Sequence, residues 1–349
     1  MKIFNSVSQK ALCLRLAPLG VASFGVAMLG FGAPARAQDG ADYYKGKTVN
    51  YIVATAPGGG YDTYGRLVAE YLQKHLPGST FVVRNMPGAG HLVGTNAINA
   101  SKPDGLTIGT FNTGLIYNQI IGNPAAKFDL TKMSWIGKAA ADPRVFAIST
   151  KSDIKTMEQL LALKQPVNFA VAGVGSASYV ETVVLTRALN LPVRMQTGYN
   201  GTEDQLAMRR GEIAGSIASR SSYESFVSNG YGRLIAQIGG RQTDLPQVVN
   251  FAKDDRAKQL IALIQSQGEI ARLTAGPPGI PAGPLQTLRN AYKMAMEDTE
   301  AQAKAQKLGL PLDPAYGEEV AKLVAEAVKQ DKETVDLLKE AMKRPKKGQ

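Results

Sequence analysis

The sequence contains almost none of the side chains on which metal sites and covalent catalysts depend. Among 349 residues it has one cysteine, Cys13, and two histidines, His75 and His91. Cys13 lies inside a predicted export signal, so the exported chain is expected to have no thiol and no disulfide. Zinc–thiolate sites and cysteine nucleophiles are thereby excluded, and two imidazoles give little support to a histidine metal site or a triad. We expect no catalytic residue, no metal ion and no cofactor.

Long apolar runs and dense charge of one sign are also missing from most of the chain. After residue 37 no segment is apolar for long enough to span a bilayer. The net charge is +11, and four basic residues fall within residues 1–37, so the exported chain carries +7 (11 − 4). Basic residues are dense only at 343–347, and no basic stripe with interleaved aromatics occurs, so nucleic acid is not an expected partner. A modest positive field instead favours anionic solutes.

Residues 1–37 have the layout of a signal peptide. Basic residues precede an uncharged apolar stretch at 16–32, and Ala35-Arg36-Ala37 fits the small-residue pattern of a cleavage site. An uncleaved membrane anchor is the alternative, but the stretch is short and is interrupted by Pro18 and several glycines. We expect cleavage after Ala37, which leaves a soluble exported protein of 312 residues (349 − 37). That length favours two domains.

Two glycine-rich loops open the exported chain. The first, Ala56-Pro57-Gly58-Gly59-Gly60-Tyr61-Asp62, follows a strand-like run at 49–53, and the second, at 85–90, follows another at 81–83. Glycines let the backbone approach a ligand closely, and the start of the following helix favours negative charge. The pattern predicts capture of an anionic group, such as a carboxylate or phosphate, outside the cytoplasm.

Strand-like and helix-like segments alternate along the rest of the chain. Strands are predicted at 106–109, 145–149, 167–171 and 234–238, and helices at 157–164, 179–189, 282–308 and 317–342. Ser178 is a predicted N-cap, and Thr202-Glu203-Asp204-Gln205 matches a capping box. This alternation predicts an α/β fold with largely parallel sheets, whose ligands bind at the carboxyl ends of the strands.

Several motifs, in their order along the chain, resemble those of a known family. The family is the periplasmic substrate-binding receptors of tripartite tricarboxylate transporters, also called Bug receptors. The motifs are residues 57–62 with Arg66, 85–90, 103–107, 173–176, 199–201, 245–246 and 279–281. Each motif is weak alone, but the ordered set spans nearly the whole exported chain and is specific. Gly198, Asn200 and Ala214 stand where the family usually has proline, lysine and aspartate, so the chain resembles a divergent member.

The resemblance implies a two-lobed periplasmic-binding-protein fold of type II. Each lobe would hold a mostly parallel sheet flanked by helices, with the ligand cleft between the lobes. The expected first lobe combines residues 38–142 and 244–349, and the second holds residues 143–243. The implied function is not catalysis. It is capture of a small organic carboxylate and its delivery to the membrane subunits of a tripartite tricarboxylate-type transporter. Di- and tricarboxylates, aromatic acids and amino acids all stay open as solutes.

The predicted ligand-binding residues lie at strand ends and on the glycine loops. They are Gly58, Gly59, Gly60, Tyr61, Asp62, Thr110, Asn112, Thr113, Gly175, Ser176, Ser178, Tyr199, Gly201 and Arg220. Each type of residue also has a structural explanation, since glycines make turns, aspartate caps helices and most arginines are solvated. His91 is expected to be structural or exposed, and Trp135 to pack in the core.

Two other functions stay open at this point. The same fold could act as the ligand-sensing partner of a membrane sensor kinase, because transport and sensing would both use the outer faces of the lobes. An exported enzyme that uses a nucleotide is the other possibility. Against it, Thr63 stands where the dinucleotide pattern that begins at Gly58 and Gly60 needs its last glycine, and no phosphate-loop lysine motif occurs.

Overall fold

The computed structural model describes residues 40–240 and 244–342, in which strands and helices alternate around two β-sheets. The expected signal peptide, its cleavage site after Ala37 and the basic cluster at 343–347 lie outside the described residues. The strands are β1 (Thr48–Val53), β2 (Thr80–Asn85), β3 (Thr107–Phe111), β4 (Ser134–Lys138), β5 (Arg144–Ser149), β6 (Val167–Val171), β7 (Val193–Thr197), β8 (Gly215–Ser219), β9 (Gly232–Ile238), β10 (Leu273–Gly276) and β11 (Ala315–Tyr316).

The helices lie mostly between the strands. They are α1 (Gly40–Tyr44), α2 (Gly60–His75), α3 (Leu92–Asn99), α4 (Gly114–Ile120), α5 (Met157–Leu161), α6 (Ala177–Leu189), α7 (Glu203–Arg210), α8 (Glu224–Ser228), α9 (Asp255–Gly268), α10 (Ala282–Glu297), α11 (Thr299–Lys307), α12 (Gly317–Val328) and α13 (Lys332–Met342). Short 3-10 turns occupy Ala89–His91, Leu130–Lys132, Arg220–Ser222 and Val248–Phe251. None of the helices in the described ranges has the length and apolarity needed to span a bilayer.

The first sheet has six strands in the order β11-β4-β10-β3-β1-β2. β1 runs parallel to β2 and β3, whereas β10 lies antiparallel between β3 and β4. Val49, Tyr51 and Val53 of β1 are fully buried, as expected for a central strand that is covered by helices. α2 packs its apolar face onto this sheet through Leu67 and Val68. We call this sheet with its helices the first lobe.

The second sheet has five strands in the order β7-β6-β8-β5-β9. β6 is parallel to β7 and β8, and β5 is antiparallel to both of its neighbours. Four strands therefore run in one direction, as β1 to β4 do in the first sheet. The predicted α/β architecture of two sheets flanked by helices is confirmed. We call the second sheet with its helices the second lobe.

The packing of the C-terminal segments differs from the expected division, in which all residues after 243 belong to the first lobe. Leu260, Ile261 and Ile264 of α9 lie in one hydrophobic cluster with Phe146 and Phe169 of the second sheet. The last helix, α13, packs on α6 and α9 of the same lobe. The chain therefore leaves the second lobe after α9, just before β10, because the apolar face of α9 completes the second core. Residues 273–328 belong with the first sheet, and α13 returns to the second.

Two predicted helix caps are wrong. Ser176, not Ser178, is the N-cap of α6, because its hydroxyl oxygen accepts a hydrogen bond from the Tyr179 N–H at 3.3 Å. Thr202 precedes α7 without a side-chain capping bond, so the predicted capping box does not form. The carboxylate of Glu203 instead accepts a hydrogen bond from the Asn200 N–H at 2.7 Å and closes the preceding turn.

Each of the two long helices predicted near the C-terminus is divided in two. Asp298 ends α10 and caps α11, because its carboxylate accepts hydrogen bonds from the N–H groups of Glu300 and Ala301. Residues 329–331 likewise separate α12 from α13. Helical periodicity continues across both breaks because each new helix also turns an apolar face inward, so periodicity alone does not reveal them.

Ile264→Ala tests the placement of α9. Removing a buried side chain from a packed core typically costs about 2–5 kcal/mol of stability, and Ile264 is buried in the second-lobe cluster. We expect chemical denaturation to show that loss, and we expect faster amide exchange in β5 and β6 rather than in β1 to β3. Gln259→Ala, at an exposed position of the same helix, is the control. Faster exchange confined to the first sheet would contradict this packing.

Candidate ligand-binding cleft

A cavity of about 110 Å³ lies between the lobes, at the carboxyl ends of several strands. The loops after β1 and β3 form its first-lobe wall, and the loops after β6, β7 and β8 form its second-lobe wall. This is the position expected for a ligand site in an open α/β sheet. Within residues 40–240 and 244–342 no group of three or more His, Cys, Asp or Glu side chains is placed to hold a metal ion.

The first glycine loop leads directly into the N-terminus of α2. Gly59 O accepts hydrogen bonds from the N–H groups of Asp62 and Thr63. No group in the described part of the chain accepts a hydrogen bond from the N–H of Gly60 or Tyr61, two residues that line the cavity. These donors and the positive end of the helix dipole together favour an anion.

Asp62 holds the first loop in shape and does not line the cavity. Its carboxylate accepts hydrogen bonds from the Gly58 N–H at 2.9 Å, Arg66 Nε at 3.0 Å and Asn85 Nδ2 at 2.8 Å. Burial acts to raise the pKa of Asp62, but these hydrogen bonds and the charge of Arg66 outweigh it and hold the pKa below its ordinary value. The carboxylate is therefore ionised and fully engaged within the first lobe.

Two buried hydroxyl groups of the cavity wall lack a protein partner. Thr55 Oγ1 and Tyr61 OH have no hydrogen-bond partner among the described residues, and both residues line the cavity. Nearly all buried polar groups in native proteins are hydrogen-bonded, so such groups in a cavity indicate a place for a polar ligand. The guanidinium of Arg272 packs over the Tyr61 ring, 4.1 Å from the ring centroid.

The second lobe presents another helix N-terminus to the cavity. Ala177 and Ser178, the first residues of the 13-residue helix α6, line it. Ser178 Oγ accepts a hydrogen bond from the Ala172 N–H at 3.1 Å and lies 3.3 Å from Ser176 Oγ. The positive ends of α2 and α6 therefore meet at one cavity from opposite lobes, which adds their attraction for an anion.

A buried ion pair forms part of the second-lobe wall. Arg144, the first residue of β5, donates hydrogen bonds from Nε to Glu181 at 2.6 Å and from Nη1 to Ser219 Oγ at 2.6 Å. Burial raises the pKa of Glu181 to about 6, so at neutral pH Glu181 is ionised and balances the charge of Arg144. Arg144 therefore faces the cavity as a partner in a neutral pair, not as a free cation.

The two lobes touch through their backbones at the cleft. A Cβ atom added to Gly59 would lie 3.2 Å from the Cα and O atoms of Gly201, which follows β7 in the second lobe. A Cβ atom on Gly201 would lie 2.6 Å from Pro57 O. Glycine at these two positions therefore allows an approach that side chains would prevent.

The structure brings only part of the predicted site to the cavity. The predicted residues that line it are Gly59, Gly60, Tyr61, Asn112, Ser178, Tyr199 and Gly201. The remaining predicted residues, which do not line it, are Gly58, Asp62, Thr110, Thr113, Gly175, Ser176 and Arg220. Direct ligand contact by any residue of either group stays a prediction.

Several of the non-lining residues have structural partners that explain their positions. Thr110 Oγ1 donates a hydrogen bond to Leu273 O at 3.1 Å, which ties β3 to β10. Arg220 forms ion pairs with Glu224 and Asp244, both at 3.0 Å, and its guanidinium is engaged by protein acceptors.

The sequence prediction missed several lining residues. They include Thr55, His91, Arg144, Asp204, Ser219, Ser222 and Tyr223. Arg144 carries a detectable signal, because it is a charged residue at the start of the mostly apolar strand β5. His91, expected to be structural or exposed, is buried at the cavity wall, and its Nδ1 donates to Ala54 O at 3.0 Å, which leaves Nε2 as an acceptor.

Comparison with known proteins identifies the family to which this chain belongs. Residues 65–339 match the family described as "Tripartite tricarboxylate transporter family receptor". The chain belongs to this family. The sequence is 24% identical over 333 residues to the Cupriavidus necator protein "UPF0065 protein in gbd 5'region", covering 93% of this chain and 96% of that one. The expected family membership is thus confirmed, and members of this family are periplasmic solute-binding receptors rather than enzymes.

Solved structures show the same fold. The periplasmic binding protein BugD superposes with a TM-score of 0.72 at 21% identity, covering 85% of this chain and 98% of that one. MatC from Rhodopseudomonas palustris, solved with bound malate, superposes with a TM-score of 0.69 at 20% identity, covering 84% and 99%. The expected two-lobed periplasmic-binding-protein fold is confirmed.

Gly59→Ala tests the contact between the lobes. Gly59 has an extended backbone, with φ −84° and ψ 170°, that alanine adopts without strain, so the contact with Gly201 is the only obstacle. We expect overpacking at this contact to cost about 1–3 kcal/mol, seen as a loss of ligand-binding free energy and of folding stability. Gly283→Ala, where an added Cβ meets no atom within 4 Å, is the control. Unchanged affinity would show that the lobes do not meet here when ligand is bound.

His91 is expected to make folding stability depend on pH. Burial lowers the pKa of His91. Below the ordinary pKa of histidine, the unfolded chain therefore binds a proton that the folded protein does not bind. Stability should therefore fall as the pH falls through about 6.5, the ordinary value for histidine. The raised pKa of Glu181 acts in the opposite direction near pH 6, so the effect of His91 must be measured as a difference between variants.

The matched variant for this measurement is His91→Asn. Asparagine tolerates the left-handed backbone at this position, where φ is 78°, and its amide can replace the Nδ1–H donor. Denaturant unfolding between pH 7 and pH 5 should show a smaller loss of stability for the variant than for the parent protein. Equal losses would contradict a buried, neutral His91.

Proposed function

We propose that this receptor binds a small organic carboxylate in the cleft between its lobes. The observation that carries this proposal is the convergence of the α2 and α6 N-termini on a cavity whose Thr55 and Tyr61 hydroxyls have no partner in the described structure. Backbone N–H groups and hydroxyls can satisfy a carboxylate without a full counter-charge in the cleft. MatC, which shares the fold, was solved with bound malate, and this supports an organic acid as the solute.

The proposed role of the loaded receptor is delivery to the membrane subunits of a tripartite tricarboxylate-type transporter. The family to which the chain belongs supports this partner. We also propose export to the periplasm with cleavage after Ala37, on the strength of the signal-peptide pattern in residues 1–37. The comparisons give the sensor-kinase alternative no support, so transport is the function proposed here.

Isothermal titration of the exported protein with a panel of mono-, di- and tricarboxylates tests the ligand class. We expect saturable binding of at least one acid with one site per chain, together with a rise in melting temperature, because a ligand that binds only the folded state stabilises it. A well-folded protein that binds no acid in the panel would contradict the proposal.

Tyr61→Phe tests the proposed ligand contacts directly. The Tyr61 hydroxyl has no hydrogen-bond partner among the described residues, so its removal should leave folding stability within about 0.5 kcal/mol of the parent. Hydrogen bonds to charged groups are worth about 1.5–3 kcal/mol, so the affinity for the acid should fall by roughly ten- to a hundredfold. Titration calorimetry gives the affinity.

Tyr231→Phe is the matched control for this experiment. Tyr231 is an exposed tyrosine outside the cavity, so the same change there should leave the affinity unaltered. An unaltered affinity for Tyr61→Phe itself would place the carboxylate away from this hydroxyl.

A further inference from the structure

The cavity has an acidic side chain that the capture of a simple acid does not explain. Asp204, the second residue of α7, lines the cavity beside Tyr199, Gly201 and Tyr223. Its Oδ1 accepts a hydrogen bond from the Gln205 N–H at 2.8 Å, and its Oδ2 accepts one from the Tyr223 hydroxyl. The side chain is thereby held in one orientation at the cavity wall.

Asp204 is also without a counter-charge. Among the described residues, Arg144 and Asp204 are the Asp, Glu, Lys or Arg side chains that line the cavity, and Arg144 is paired with Glu181. No Lys, Arg or His in the described ranges forms an ion pair with Asp204. Burial raises the pKa of Asp204, and the nearby charge of Glu203 adds to that effect. This half-buried carboxylate accepts one hydrogen bond at each oxygen, and its remaining lone pairs can accept a further donor.

Resting on the receptor function proposed above, we propose that Asp204 accepts a hydrogen bond from a donor group on the solute. The solute is then an organic acid that also carries an amino or hydroxyl group. Its carboxylate lies at the N-termini of α2 and α6, and its donor group meets Asp204. An acid without the donor group lacks this additional hydrogen bond, and the difference in binding free energy discriminates between the two kinds of solute.

An acidic residue in the first turn of a helix also has a purely structural explanation, since it interacts favourably with the helix dipole. The two explanations differ in a measurable property. A structural Asp204 affects the stability of α7 and not the choice of solute, whereas a solute-binding Asp204 sets the preference for substituted acids. Glu203 occupies the same turn but lies outside the cavity wall, and its carboxylate is engaged by the Asn200 N–H, so it provides the matched control.

The test compares matched solutes that differ only in the donor group. One series is succinate, malate and aspartate, and the other is propionate, lactate and alanine. Titration calorimetry on the exported protein should give at least one hydroxy or amino acid about ten- to a hundredfold tighter binding than its unsubstituted partner. Asp204→Asn should reduce that preference to about twofold or less, while Glu203→Gln should retain it.

The same variant separates the two kinds of donor. Asparagine keeps an acceptor oxygen but loses the charge, so Asp204→Asn should weaken binding of an amino acid more than binding of a hydroxy acid. Equal binding of substituted and unsubstituted acids by the parent protein would overturn this inference and leave the receptor function standing. Binding of no acid in either series would overturn both. The solute preference of the parent protein decides the question even where the Asp204→Asn variant does not fold.

Discussion

The buried ion pair between Arg272 and Asp142 connects the fold to the ligand cleft. Asp142 lies where the chain passes from β4 to β5, and Arg272 lies just before β10, where it passes back. Arg272 Nη2 donates to Asp142 Oδ2 at 2.6 Å, and both side chains are fully buried. The pair therefore links two of the passages between the lobes.

The same arginine also supports the cavity wall. Its guanidinium lies 4.1 Å from the ring centroid of Tyr61 and 4.9 Å from that of Tyr64, and its Nη2 donates to Ser221 Oγ at 2.8 Å. Arg272 has a left-handed backbone, with φ 59°, which is uncommon for a residue other than glycine. Because the charge is satisfied by Asp142 and by the aromatic rings, Arg272 positions Tyr61 without itself lining the cavity.

The cleft therefore attracts an anion through oriented dipoles rather than through a free cation. Its cationic residue, Arg144, is neutralised by Glu181, and the attraction for a carboxylate rests on helix N-termini, backbone N–H groups and unpartnered hydroxyls. Such a site does not need to desolvate a full positive charge when a ligand binds. Asp204, which also lines the cavity, then adds the proposed preference for a solute with a donor group.

Much of this arrangement can be predicted from sequence, for identifiable physical reasons. Glycine loops after apolar strands predict the α2 and α6 N-termini, because local chemistry alone determines such turns. Side-chain pairing between distant residues cannot be predicted from local sequence. Asp62 and Arg220 resemble ligand groups in the sequence, yet their partners Asn85 and Asp244 lie 23 and 24 residues away and are known only from the fold. Arg144, Asp204 and Tyr223 come together for the same reason, through strands and helices distant in sequence.

A crystal structure of the exported protein with a bound acid tests the central claim most directly. The account predicts one carboxylate between the lobes, within hydrogen-bond distance of the N–H of Gly60 or Tyr61 and of the Tyr61 or Thr55 hydroxyl. An acid bound outside the cavity, with those two hydroxyls still unpartnered, would contradict it.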